Sequence, residues 1–168
     1  MKNLVAVYSS YSSDNFDVGE IKTENSEELF LLSFQESGAN DGYIYLKKEH
    51  IYRYEENSKY LKKINKVLET TNEISDFEEL DVGIINILDD VIIKIIDQCL
   101  MISITVVDYD FEEILGFIKR KKDKYIEVEQ YNYYGEPDGT STIQIDSIIR
   151  LDIESSDEKL IKKLIHLK

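Results

Sequence analysis

Residues 19–68, GEIKTENSEELFLLSFQESGANDGYIYLKKEHIYRYEENSKYLKKINKVL, return in outline at residues 116–165 as GFIKRKKDKYIEVEQYNYYGEPDGTSTIQIDSIIRLDIESSDEKLIKKLI. The two stretches align without a gap at a constant offset of 97. Identical pairs are spread along the whole length: Gly19/Gly116, Ile21/Ile118, Lys22/Lys119, Gly38/Gly135, Asp41/Asp138, Gly42/Gly139, Ile51/Ile148, Arg53/Arg150, Ser58/Ser155, Lys62/Lys159, Ile64/Ile161 and Lys66/Lys163. Most other pairs set apolar against apolar, as Leu29/Ile126 and Leu31/Val128 do. Such self-similarity marks a duplicated structural unit and fixes architecture before any single residue is read.

Working outward, Leu4-Val5-Ala6-Val7-Tyr8 matches Met101-Ile102-Ser103-Ile104-Thr105 at the same offset, so each unit opens on a strand. Val18 to Ile21 and Leu115 to Ile118 alternate about a glycine, which in a strand signals a bend or a close backbone approach. Thr23 to Glu27 and Arg120 to Lys124 read as polar turns. Leu29 to Phe34 is apolar on both faces. Tyr125 to Tyr131 alternates cleanly, with Ile126 and Val128 on one face and Glu127 and Glu129 on the other. Gly38 to Gly42 and Gly135 to Gly139 read as hairpin connections, because Asp-Gly tolerates positive φ. Short strands at Tyr43–Leu46 and His50–Tyr54, and at Thr140–Ile143 and Ser147–Leu151, complete each unit.

Both units then switch to helical spacing. Ser58 caps a helix carrying Leu61, Ile64, Val67 and Leu68. Ser155 and Glu158 form a capping box ahead of Leu160, Ile161, Leu164 and Ile165. Residues 69–99 have no counterpart. Thr70 to Asp81 is a polar, acidic linker. From Ile84 to Cys99 the apolar residues Ile84, Ile85, Leu88, Val91, Ile92, Ile95, Ile96 and Cys99 make one helical stripe, with Ile87 and Ile93 off it. The domain reading is a first unit at 1–69, a linker at 70–83 and a second unit at 84–168.

The net charge is −14. Affinity for nucleic acid rests on Lys and Arg neutralising phosphates, so nucleic acid is disfavoured as a partner. A basic protein partner would be attracted. The single cysteine, Cys99, excludes an intrachain disulfide and a cysteine-based zinc cluster, which suits a reducing cytoplasm. The N-terminus lacks a secretory apolar run. The apolar stretch from Ile84 to Val107 is broken by Asn86, Asp89, Asp90, Lys94, Asp97 and Gln98, against a membrane span.

The order of a helix, a strand, a glycine-bent strand, a long strand and two short ones resembles an Sm-like small barrel. It is carried by Ile84 to Ile153, through Met101–Val107, Leu115-Gly116-Phe117-Ile118, Tyr125–Val128 and Ile148–Ile153. Leu4 to Glu55 resembles the same barrel without its leading helix, and an SH3-like barrel follows the same order. The duplicated form is also similar to uncharacterised small bacterial proteins. The resemblance implies a β-rich α+β chain of two tandem five-stranded barrels with three packed helices. The RNA-contacting residues of Sm proteins are not matched: Asp123 is followed by Lys124, Tyr125 and Ile126 with no asparagine. Arg53 and Arg150 are followed by Tyr54 and Leu151 where that family has glycine.

No catalytic, cofactor or metal residue is expected. His50 and His166 fall in different units. The acidic clusters lack the turn glycine of a calcium loop, and no phosphate-binding glycine motif occurs. Asp41 and Asp138 read as turn residues, and Arg53 and Arg150 as structural, each pairing with an acidic neighbour across the barrel. Tyrosine is enriched at binding hot spots. The partner-binding expectation therefore falls on Tyr131, Tyr133 and Tyr134, where a strand meets its hairpin, and on the acidic Asp108, Asp110, Glu112 and Glu113. The expected function is a non-catalytic, acidic protein-binding module. One concrete form is an immunity or inhibitor protein for a basic toxin or nuclease. The alternative is an Sm-like nucleic-acid binder using Lys119–Lys122. The oligomeric state is open, with pairing of exposed strand edges as one route to a dimer.

Overall fold

The computed structural model describes residues 2–10, 16–70, 80–107 and 113–166. The chain divides into two compact units, Met1–Ile87 and Leu88–Lys168. The first holds β1 (Leu4–Ser9), β2 (Asp17–Glu24), β3 (Glu28–Phe34), β4 (Asn40–Lys47), β5 (Ile51–Glu56) and α1 (Lys59–Thr70). The second follows α2 (Ile87–Gln98) with β6 (Met101–Val106), β7 (Glu113–Lys122), β8 (Tyr125–Tyr131), β9 (Pro137–Gln144), β10 (Ile148–Ile153) and α3 (Ser156–His166). A single 3-10 turn separates β4 from β5, and another separates β9 from β10.

The duplication is visible strand by strand. The pairing order is β5-β1-β2-β3-β4 in one unit and β10-β6-β7-β8-β9 in the other, antiparallel within each. Register shifts also recur at equivalent sites. Tyr8/Ser9 against β5 matches Thr105/Val106 against β10. Ile21/Thr23 matches Ile118/Arg120, and Leu32/Phe34 matches Glu129/Tyr131. Bulges bend a strand and sharpen its twist, so both copies curl in the same places. The chain is thus a β-rich α+β protein of ten antiparallel strands and three α-helices, but neither five-strand order closes on itself. The 3-10 turns at Lys48–His50 and Ile145–Ser147 carry the chain away between the last two strands, where a tight hairpin would have zipped them together.

Gly19 and Gly116 sit where β2 and β7 press on the neighbouring strand. A Cβ at Gly19 would fall on the Leu31 side chain and lie 2.6 Å from the Leu32 carbonyl oxygen. At Gly116 it would strike the Glu129 carbonyl oxygen and sit 2.9 Å from its carbon. The expected close approach is therefore real, and it is backbone against backbone.

The hairpins differ from expectation in detail. The reversals are Gln35–Ala39 and Asn132–Glu136, each closed by paired main-chain bonds, with Gly38 and Gly135 at φ 83° and 70°. Asp41-Gly42 and Asp138-Gly139 are not the turns. They supply the extra residue inside β4 and β9, with Gly42 and Gly139 at φ 76° and 93°. Asp-Gly satisfies a strand bulge for the same reason it satisfies a turn, namely its tolerance of positive φ. Likewise β7 runs on through Lys122, so the expected turn from Arg120 shrinks to Asp123-Lys124, with Asp123 at φ 51°.

In the first unit Val5, Val7, Leu29, Leu31, Ile44 and Leu46 form one apolar cluster. Residues Leu80 to Ile87 pack onto this unit. Thr23 Oγ1 donates to the Val82 carbonyl at 3.1 Å, and Glu28 accepts from the Ile87 amide at 3.1 Å. Tyr45 donates to Glu28 at 3.1 Å, and burial followed by that carboxylate raises the phenol far above its usual range. In the second unit Met101, Leu115 and Ile161 group with Phe117, Tyr131 and Ile165.

The helices keep their expected caps. Ser58 Oγ accepts from the Leu61 amide at 3.2 Å, and Glu158 Oε2 accepts from the Ser155 amide at 2.8 Å. The stripe of α2 is shifted: Ile87, Leu88, Val91, Ile92 and Ile95 are buried, whereas Ile84, Ile85 and Cys99 are exposed. The helix begins only at Ile87, so residues before it do not follow its period. Leu160 is exposed as well, because the α3 face that meets the sheet is centred on Glu158 and Ile161.

Gly116→Ala should cost about 1–3 kcal/mol of stability by overpacking. Gly19→Ala should cost less, since the nearest backbone atom there, the Leu32 carbonyl oxygen, lies further off, at 2.6 Å, than the Glu129 carbonyl oxygen does at Gly116. Urea unfolding followed by far-ultraviolet circular dichroism reads both.

Candidate functional site

One position on each unit gathers polar and aromatic side chains, and the two positions are equivalent under the offset of 97. Each is built where β5 or β10, the residues just before or opening β2 or β7, the first turn of α1 or α3, and the long hairpin converge. At the centre stands the recurring arginine. It pairs with the acid two residues along its own strand, because residues i and i+2 share a sheet face. Arg53 Nη2 lies 2.6 Å from Glu55, and Arg150 is bidentate on Asp152 at 2.7 and 2.6 Å. The acid each arginine meets is thus on its own strand and not across the sheet.

Around this pair the units diverge. In the first, the side chains are aromatic. Tyr8 lies 5.1 Å from Phe16 and 6.3 Å from Tyr52, and Phe16 meets Tyr60 edge-on at 5.6 Å. The Arg53 guanidinium sits 4.5 Å over the Tyr8 ring, whose hydroxyl donates to Glu55 at 3.3 Å. In the second unit Phe16 is replaced by Glu113, Tyr60 by Asp157 and Tyr8 by Thr105, while Tyr133 stands where the first unit has Glu36. Tyr133 and Glu113 lie close enough to interact electrostatically. The Arg53 side chain is 57% exposed, the Arg150 side chain 7%.

The Glu113 carboxyl is held above the usual carboxylate range, first by loss of water about it and then by Asp152 and Asp157. Arg150 and the Tyr133 hydroxyl pull the other way. Burial and the surrounding acids also raise the Tyr133 phenol. Glu113 as a whole residue remains exposed.

The hairpin tip is fixed. Asn132 Oδ1 accepts from the Tyr134 and Glu136 amides at 2.9 and 3.0 Å. Gly135 packs so closely on α3 that a Cβ would lie 2.9 Å from Leu164 Cβ. Tyr133 and Tyr134 are left 67% and 76% exposed. Tyr131 turns inward instead, edge-on to Phe117 at 5.8 Å. Of the residues singled out in the sequence, the structure brings Tyr133 and Glu113 together and places Tyr134 beside them on the tip. Asp108, Asp110 and Glu112 lie outside the described residues. Asp152, Asp157 and the ring cluster of the first unit were missed, although laying one repeat over the other sets Phe16 against Glu113 and Tyr60 against Asp157.

Beneath the second site lies a polar pair where the first unit is apolar. Glu158, 3% exposed, accepts from Ser103 Oγ at 2.5 Å, at the positions held by Leu61 and Ala6. Burial raises the Glu158 carboxyl. Glu154, in a left-handed conformation at φ 51°, accepts from the Met101 amide at 2.7 Å and from Lys162 at 2.6 Å.

Three cations of the Lys119–Lys122 run are paired with acids. Lys119 pairs with Glu129 at 2.6 Å, Arg120 with Glu127 at 2.6 Å and Lys121 with Asp89 at 2.9 Å. His50 stands 3.5 Å from Glu49, while His166 lies exposed in the last turn of α3. Among the described residues no three His, Cys, Asp or Glu side chains are grouped to hold a metal ion, and no helix is long and apolar enough to cross a membrane. No protein family model, curated protein or solved structure matches the chain.

Because Glu158 has a raised folded-state pKa, its contribution falls as pH rises through that value and is least unfavourable below the ordinary glutamate range. The double variant Ser103→Ala, Glu158→Leu removes the buried carboxylate and the hydroxyl it would strand, but still leaves the part-buried Ser155 amide without its acceptor, so at neutral pH it should lie within about 1 kcal/mol of the parent. Relative to the parent it should lose ground as pH falls toward the ordinary glutamate value. Glu158→Leu alone strands Ser103 Oγ and the Ser155 amide and should cost about 1–3 kcal/mol. Thermal unfolding from pH 4 to pH 8 separates these cases.

Proposed function

We propose that this chain is a non-catalytic protein-binding module whose second unit receives basic side chains of a partner. The observation that carries the reading is the carboxylate surplus beneath exposed tyrosines. Glu113, Asp152 and Asp157 gather around Arg150, which is already committed to Asp152. An incoming lysine or arginine would offset the loss of water and the neighbouring acids that hold the Glu113 carboxyl above its usual range, and Tyr133 and Tyr134 would pack on its aliphatic stem. The net charge of −14 would speed encounter with such a partner and orient it. In its most concrete form the module is an immunity or inhibitor protein that caps a basic toxin or nuclease, and the two units are Sm-like or SH3-like small barrels descended from one ancestor.

The test is a nuclear magnetic resonance titration of the full chain with a short arginine- and lysine-rich peptide. Shifts should centre on Glu113, Tyr133, Tyr134 and Asp157, and should weaken with added salt. Glu113→Gln and Asp157→Asn should each lower affinity about threefold to tenfold, the scale of one partly exposed charge contact. Shifts centred away from this cluster, or unchanged affinity in both variants, refute the reading. Co-expression with a toxin-like product of a neighbouring gene tests the inhibitor form: growth should recover with the parent chain and fail to recover with the double variant Glu113→Gln, Asp157→Asn.

A further inference from the structure

At the location where the second unit carries carboxylates the first carries rings, and the adjoining helix face is basic. Tyr60 bridges the two features. Its ring meets Phe16 at 5.6 Å, and it interacts electrostatically with Lys63, one turn further along α1. From there Lys59, Lys62, Lys63 and Lys66 line a hollow of about 590 Å³ together with Val67 and Thr70. Lys63 pairs with Glu36. Among the described residues Lys59, Lys62 and Lys66 have no carboxylate within pairing distance. Four lysines on one helix face stand out in a chain carrying 34 acidic and 20 basic residues. Helix geometry does not require them, because α1 is already anchored by Leu61, Ile64 and the Asn65 clasp on Lys2, at 3.1 and 3.0 Å.

We propose that the lysine face of α1 and the ring cluster of Tyr8, Phe16, Tyr52 and Tyr60 form a docking surface for an acidic protein segment anchored by an aromatic residue. The anchor packs on the rings, of which Tyr52 is 67% exposed, and the acidic flanks lie along Lys59, Lys63 and Lys66. Arg53 contributes through its contact with Tyr8 and not as a free cation, because Glu55 already holds it. Charge decides between an acidic peptide and a nucleic acid strand. A short acidic segment meets only the basic face. A polyanion would run past it onto a chain of net −14, where repulsion grows with every phosphate. The surface is distinct from the carboxylate site of the second unit, so the two proposals stand or fall separately.

The probe is a capped peptide of glutamates around a central phenylalanine, titrated into isotope-labelled full chain. A lysine version of the peptide and an oligothymidine strand serve as comparators. Amide shifts are expected on α1 and at Tyr8, Tyr52 and Arg53, and not at Glu113 or Tyr133. The double variant Lys63→Glu, Lys66→Glu should weaken binding about tenfold, the sum of two exposed charge contacts. Tyr52→Ala, at an exposed ring that folding does not need, should weaken it about threefold or more, within the range of a peripheral ring contact. Unchanged circular dichroism confirms that both variants fold. Absence of α1 shifts at millimolar probe, indifference to both variants, or tighter binding of the oligothymidine strand at the same face would each overturn the proposal.

Discussion

Everything in each unit follows from one contact: a strand backbone laid directly against its neighbour at Gly19 and at Gly116. No side chain fits between the glycine Cα and the carbonyl opposite. The strand carrying it can therefore close in on β3 or β8, and the bulges just beyond, at Ile21/Thr23 and Ile118/Arg120, let it twist away again. That curvature brings the start of β2 or β7 toward the helix that follows β5 or β10. The side chains that meet there, Phe16 with Tyr60 and Glu113 with Asp157, are neighbours because the sheet bends.

A shared scaffold with opposite chemistry at the same place is the central feature of the molecule. The arginine and its i+2 acid are retained in both copies, which keeps the platform. The ring of residues around them has been exchanged almost completely. Beneath the platform, Leu61 over Ala6 has become Glu158 over Ser103, replacing apolar packing with a buried hydrogen bond. The second unit thus supports a carboxylate-rich face with further polar groups below, and the first supports rings on a hydrocarbon base.

Much of the architecture was legible in the residues, and the limits have physical reasons. The repeat predicts equal topologies because side-chain period and glycine placement survive duplication. Ser58, Ser155 and Glu158 mark helix starts because capping is local. The misreadings fall where two structures use one signal. Asp41-Gly42 and Asp138-Gly139 fit a turn as well as a bulge. Ile84 and Ile85 are as apolar as Ile87 and Leu88, yet the helix starts after them. Leu160 continues an apolar pattern whose buried face is set by a glutamate.

By itself, the sequence determined that the chain is a duplicated, β-rich unit with a trailing helix in each copy, because alternation, glycine bends and caps are properties of neighbouring residues. It also determined the excess of negative charge. Only the tertiary structure decided which charges and rings meet. Residues 113 and 133 lie far along the chain from each other and from the neighbouring 152 and 157, and nothing local to any of them says that a bent sheet will bring their side chains together. The lysines of α1 likewise read as an ordinary solvated helix face until Tyr60 is seen to join them to the ring cluster.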